Sequence, residues 1–90
     1  MGETLWNIKI HRKANKTLNR LHGEIRKRLR RAINALAEDP HPSGSKKMIG
    51  HKDLYRIRVG DWRIVYKIEN GELIILILAI ASRGEIYKNY

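Results

Sequence analysis

The strongest constraint on the fold of this chain is a pair of tight-turn signals inside one alternating stretch, LYRIRVGDWRIVYKIENGELIILILAIASRGEIY, residues 54–87. Val59-Gly60-Asp61-Trp62 puts glycine at the first central position of a two-residue hairpin turn, which suits type II′. Glu69-Asn70-Gly71-Glu72 puts Asn-Gly at the centre of a second turn, which suits type I′. Turn length fixes pairing and side chains alternate, so the register follows by arithmetic. In the first hairpin 59 faces 62, 58 faces 63, 57 faces 64 and 55 faces 66. In the second, 68 faces 73, 66 faces 75, 64 faces 77 and 62 faces 79.

This register separates two faces. Tyr55, Ile57 and Val59 lie with Trp62, Ile64 and Tyr66, and Leu73, Ile75, Ile77 and Ala79 continue that apolar face. Arg58 falls opposite Arg63 on the other face, with Arg56 two residues along, beside Ile74, Leu76, Leu78 and Ile80. Like charges directly across an antiparallel pair destabilise it, so these arginines either splay into solvent or serve an anion. A last strand apolar on both faces is covered twice or left partly open for a partner. No remaining segment is long enough to cover the second face fully, which predicts a partner segment there.

The rest of the chain supplies the cover for the first face. Residues 5–10 alternate, with Trp6, Ile8 and Ile10 on one side, as in a half-buried strand. From His11 the period lengthens. Ala14, Leu18 and Leu21 make one helix face, and His22-Gly23 is a stop. Ile25, Leu29, Ala32, Ile33 and Leu36 make a second, ended by Asp39-Pro40 because the residue before proline is pushed out of the helical region. The prediction is an α+β domain ordered β-α-α-β-β-β, with a helical hairpin packed on one face of a three-stranded antiparallel meander. Residues 41–51, HPSGSKKMIGH, read as a loop without a phosphate-binding glycine pattern.

Ninety residues make one domain, residues 1–90. The absence of cysteine excludes disulfides and thiolate metal sites and is compatible with a reducing cytoplasm. The longest apolar run is about half of a membrane span and no secretory pattern opens the chain, so the expectation is a cytoplasmic domain with no membrane partner. The formal charge is +10, from 19 Lys and Arg against 9 Asp and Glu. That excess implies a polyanionic partner: nucleic acid, an acidic protein or an anionic membrane. Between Lys9 and Arg31 ten basic residues meet a single acid, Glu24. A merely solvated helix surface would mix signs. Arg26, Lys27 and Arg30 on the second helix are therefore candidate RNA contacts. His11, His22, His41 and His51 have no metal-ligand spacing and read as surface or turn residues.

The register also gathers cations. The Gly60-Asp61 turn brings Arg58 and Arg63 to one end of the sheet, and the end of the last strand emerges there with Ser82-Arg83. Tyr87 lies four residues on. Arg56, Arg58, Arg63, Arg83 and Tyr87 should converge at one corner. Arginine forks match phosphate oxygens and stack on bases, and tyrosine stacks on an exposed base. Such a corner can also cut RNA without metal or cofactor, through attack of a 2′-hydroxyl on the adjacent phosphorus. That chemistry needs a base, a proton donor for the leaving 5′ oxygen, and cations for the developing charge. Surrounding cations favour ionised tyrosine, which makes Tyr87 a candidate base despite a reference pKa near ~10. A solvated basic edge without chemistry is the competing reading of the same residues.

The run YRIRVGDWRIVY followed by RGEIY resembles the RelE/ParE toxin superfamily, specifically its RelE branch, and the resemblance covers essentially the whole chain. It implies a toxin of a type II toxin–antitoxin system that enters the ribosomal A site and cuts mRNA there. A RelB-like antitoxin would neutralise it in a heterodimer or heterotetramer. Carried onto this chain, Tyr87 would be the base, Arg63 and Arg83 would hold the phosphate, and Arg56 would orient the substrate. One departure stands out. Well-studied bacterial members carry lysine at the positions of Arg56 and Arg58, and one of those lysines is their general acid. Arginine holds its proton too tightly for that role, so Arg58 reads as a phosphate clamp, which implies either a slower enzyme or protonation of the leaving oxygen by water or ribosomal groups. Two alternatives use the same scaffold: a ParE-like gyrase inhibitor, or a catalytically inactive basic module of an operon-repressing complex.

Overall fold

The computed structural model describes residues 5–85. Its elements run β1 (Asn7–Ile10), α1 (Arg12–Arg20), α2 (Gly23–Leu36), β2 (Lys46–Lys47), β3 (Leu54–Val59), β4 (Trp62–Glu69) and β5 (Ile74–Ser82). One mixed sheet has the order β1-β5-β4-β3-β2. The α+β architecture is the expected one, with β1 added parallel to β5 at one edge through Asn7–Ile74 to Ile10–Ile77.

The helices form where the three-and-four spacing puts them. The His11 Nδ1 caps α1 by accepting the Lys13 amide at 3.2 Å, satisfying one of the free donors of the first turn. Gly23 at φ 65° opens α2 and separates it from α1. Ala14 and Leu18 of α1 and Leu29, Ile33 and Leu36 of α2 are buried. They pack on Ile57, Val59, Ile64, Tyr66, Ile68, Ile75, Ile77 and Ile80 of the sheet in one core.

The first hairpin has the predicted register throughout, Val59–Trp62 to Tyr55–Tyr66. Gly60 has φ 62° and Asp61 has no positive φ, the type II′ pattern. The second hairpin differs. Glu69 pairs with Ile74, Ile68 with Ile75 and Tyr66 with Ile77, so the loop is the four residues 70–73 and not Asn70-Gly71 alone. Leu73, at φ 56°, makes the left-handed step that Gly71 was expected to make. Its carbonyl accepts the Asn7 amide at 2.8 Å, which ties the loop to the start of β1.

A slip of two residues preserves the facing of Ile75 and Ile77. A bulge then changes it. Beyond Tyr66–Ile77 the next pairs are Val65–Ala79, Ile64–Ile80 and Trp62–Ser82, leaving Leu78 as the extra residue of β5. Ile80 consequently joins the main core, where Ala79 had been expected. Ala79 instead lies with Leu78, Ala81, Leu54, Met48 and Val65 on the other side of the sheet.

That second face is also less open than expected, because residues 46–54 are more than loop. Lys46 pairs with Arg56 and Lys47 with Tyr55, and the Met48 amide donates to the Leu54 carbonyl at 2.8 Å. Met48 then folds against Val65. α2 ends at Leu36, slightly before the predicted Asp39.

A candidate phosphate-binding corner on the sheet

The site is built by alternation and by the bulge. Arg56, Arg58 and Arg63 are on the face away from the helices because their neighbours Ile57, Val59, Trp62 and Ile64 are on the helix face. The bulged register brings the end of β5 to the first turn: Trp62 faces Ser82, and the Arg83 amide donates to the Asp61 carbonyl at 2.8 Å. Under the register read from the sequence Arg83 would have emerged three residues past the turn, about 10 Å further on. The correction therefore tightens the expected corner.

The arginines differ in environment. Arg58 and Arg83 are exposed and Arg56 is half-buried. Arg63 is buried, with 4% of its surface exposed. Its Nη1 donates back to the Trp62 carbonyl at 3.2 Å and the Gly60 carbonyl at 3.4 Å. Among the described residues, Arg63 Nε and Arg56 Nη1 are buried without a hydrogen-bond partner. Buried donors are nearly always satisfied, and a buried cation without a counter-charge is costly. Among the described residues the ion pairs are Arg31–Glu24 and Lys67–Glu69, and neither neutralises these arginines. Arg56, Arg58 and Arg63 share one face of the sheet and Arg83 is held at the adjoining Asp61 turn, which makes this corner a candidate site for an oxyanion such as phosphate.

Of the other residues singled out, Tyr87 lies outside the described residues. Arg26, Lys27 and Arg30 are on α2, which packs on the opposite face of the sheet, so the fold does not bring them into this corner. Two basic residues not singled out do approach it. The Arg28 guanidinium reaches the first turn, 3.5 Å from where a Cβ on Gly60 would stand. Lys46 enters the arginine face through the short β2 pairing, for which two lysines in a Gly/Ser loop give no periodic signal. Among the described residues no group of three His, Asp or Glu side chains could hold a metal ion. Two of the histidines have structural roles: His11 caps a helix and His41 packs edge-on against Tyr55 at 5.0 Å.

The family model for the ParE toxin of type II toxin–antitoxin systems matches residues 8–87. A protein of Methanocaldococcus jannaschii assigned as toxin RelE1 is 31% identical over 87 residues, covering 93% of this chain and 97% of that protein. The chain belongs to the RelE/ParE toxin superfamily. Its RelE character is also seen in structure. The archaeal RelE–RelB complex of Pyrococcus horikoshii superposes with a TM-score of 0.79 at 30% identity, over 90% of this chain and 98% of that one. The RelB–RelE antitoxin–toxin complex of Methanococcus jannaschii gives 0.72 at 26% identity, over 91% and 98%. The isolated Escherichia coli RelE toxin, at 20% identity and TM-score 0.76, covers 93% of both chains and shares the fold. The chain is thus a RelE-like toxin whose superfamily membership, read from the YRIRVGDWRIVY and RGEIY motifs, holds over nearly its full length.

Proposed function

We propose that this RelE-like toxin is a ribosome-dependent endoribonuclease that cuts mRNA in the A site. The observation that carries the proposal is the cross-strand pair of Arg58 and Arg63, with Arg56 two residues along and Arg83 held at the Asp61 turn, a cluster of like charges kept at a cost in stability. In the proposed reaction the 2′-oxygen attacks the adjacent phosphorus with Tyr87 as base. Arg63 and Arg83 hold the phosphate, Arg56 orients it, and Arg58 clamps it. Guanidinium groups supply the charge stabilisation for the phosphorane, so the mechanism needs no metal. The basic helix surface, including Arg26, Lys27 and Arg30, would contact ribosomal RNA through its phosphates.

The partner that would neutralise the toxin is a RelB-like antitoxin, in a heterodimer or heterotetramer, and both would act in the cytoplasm. Support comes from the archaeal RelE–RelB assemblies that the chain resembles. The apolar surface of Leu78, Ala79 and Ala81 beside the arginines offers such an antitoxin a place to cover the site.

The test is cleavage of mRNA on programmed ribosomes, read by primer extension. The wild-type chain should cut in the A-site codon and Arg83→Ala should not. The ParE name of the matching family favours a second reading, inhibition of gyrase. Growth arrest accompanied by blocked supercoiling, with ribosome-bound mRNA left intact, would establish that reading instead.

A further inference from the structure

The corner read from the sequence lacks one chemical part. Its cations in the described region are arginines, and a guanidinium does not release a proton to a leaving group. The 5′ oxygen of a cleaved phosphodiester leaves as an alkoxide unless something protonates it. The structure puts one lysine on the arginine face next to Arg56. Lys46 is the direct partner of Arg56 across β2 and β3, while Lys47 is the partner of Tyr55. Alternation therefore sends Lys46 to the arginine face and Lys47 to the helix face. Strands in a sheet stand about 4.8 Å apart, so Lys46 starts one strand from Arg56, while Arg63 lies two strands away and two residues further along, opposite Arg58. Extended Lys46 and Arg56 side chains, one strand apart on the same face, can reach one phosphate group together.

Other lysines on the arginine face are worse placed. Lys67 is four residues from Arg63 along β4 and its ammonium pairs with Glu69 at 3.7 Å. Lys9 is on β1, at the opposite edge of the sheet. Lys46 is exposed and in no ion pair among the described residues. We propose that Lys46 is the general acid of this toxin, the proton donor to the leaving 5′ oxygen.

The proposal rests on the endoribonuclease reading and completes its balance. The 2′-oxygen bonds to phosphorus while its proton passes to the base. The bond from phosphorus to the 5′ oxygen breaks, and its electron pair stays on that oxygen. Lys46 Nζ delivers a proton there, giving a 5′-hydroxyl and a 2′,3′-cyclic phosphate. The neutral amine regains its proton from water. Arginine at positions 56 and 58 is then compatible with full chemistry, because the ammonium comes from the neighbouring strand.

The experiment uses ribosome-bound mRNA with the natural 5′ oxygen at the scissile bond, and a matched mRNA with sulfur in that bridging position. A thiolate leaves without protonation. Lys46→Ala should slow the oxygen substrate by about 10²–10⁴-fold and the sulfur substrate by less than about 10-fold. Lys46→Arg should be as slow as Lys46→Ala on the oxygen substrate, since it keeps the charge and withholds the proton. Lys47→Ala should cut both at the wild-type rate. An unchanged Lys46→Ala rate, equal slowing of both substrates, or full activity in Lys46→Arg would each overturn the assignment. If the wild-type chain cut neither mRNA, the endoribonuclease reading itself would fall, an outcome distinct from failure at Lys46 alone.

Discussion

Arg58 and Arg63 stand directly opposite each other across β3 and β4, yet Arg58 extends into solvent while Arg63 is buried. Two like charges in one cross-strand pair oppose each other, and the Nε of the buried member has no partner among the described residues. A hydrophobic residue of similar length should be better tolerated by the fold than arginine is. Arg63→Met is expected to hold or raise stability, by up to about 1 kcal/mol, or some 4–8 °C in Tm for a domain of this size. The same variant should lose mRNA cleavage. Thermal unfolding and primer extension on one preparation check both halves, and a lower Tm would show that the Nη1 bonds to the turn outweigh the repulsion.

Arg83 behaves differently because its backbone, not its side chain, is tied to the fold. Its amide donates to Asp61 and its side chain is exposed. Arg83→Ala should therefore change stability by less than about 0.5 kcal/mol. It should reduce cleavage by about 10²–10³-fold, the range for loss of one donor to a developing oxyanion. Expression of the variant should no longer arrest growth. Full toxicity from a folded Arg83→Ala protein would remove Arg83 from the site.

The two turns make opposite predictions for the same substitution. Gly60 sits at φ 62°, so alanine there is strained by about 1–2 kcal/mol. The loss should also displace Arg63, whose Nη1 rests on the Gly60 carbonyl. Gly71 has no left-handed φ and open space where a Cβ would go. Gly71→Ala should be neutral or stabilising by about 0.4–1 kcal/mol, through the unfolded chain. Denaturant midpoints of the two variants decide whether the Asn-Gly pair is a type I′ turn or part of a longer loop.

Tyr66 is fully buried and donates its hydroxyl to the Pro40 carbonyl at 2.8 Å, with its ring stacked on Tyr55 at 5.9 Å. Burial, opposed by a hydrogen bond with Ser45 and aided by the nearby Tyr55 and Asp39, raises its pKa from 10.0 to about 12. The unfolded chain then loses this proton first. The stabilising contribution is fully present below about pH 10 and is lost as pH rises through about 12, with a slope on the order of 1 kcal/mol per pH unit. Tyr66→Phe should cost about 1–2 kcal/mol at neutral pH. The stability difference from wild type should shrink across the alkaline window, and parallel pH curves would contradict the assignment.

Much of the site was legible in the residues themselves. Alternation and Gly60-Asp61 suffice to pair Arg58 with Arg63, because a two-residue turn leaves no freedom in register. The three-and-four spacing likewise suffices for the helices, since each buries one apolar stripe. Asn70-Gly71 misled for a physical reason: the chain satisfies the left-handed step at Leu73, where the carbonyl is anchored by the Asn7 amide, a partner far away in sequence. The bulge at Leu78 leaves no mark in an uninterrupted apolar run, where any phase looks equally good.

The sequence by itself determined the faces: which side of the sheet is apolar, which carries arginine, and that the helices cover the former. These follow from side-chain periodicity, a local property. Only the tertiary structure decided how the strands slide along one another, and therefore that Arg83 reaches the Asp61 turn and that Lys46 sits beside Arg56. Strand register beyond a tight turn depends on contacts between distant residues, and the chemistry of this corner depends on that register.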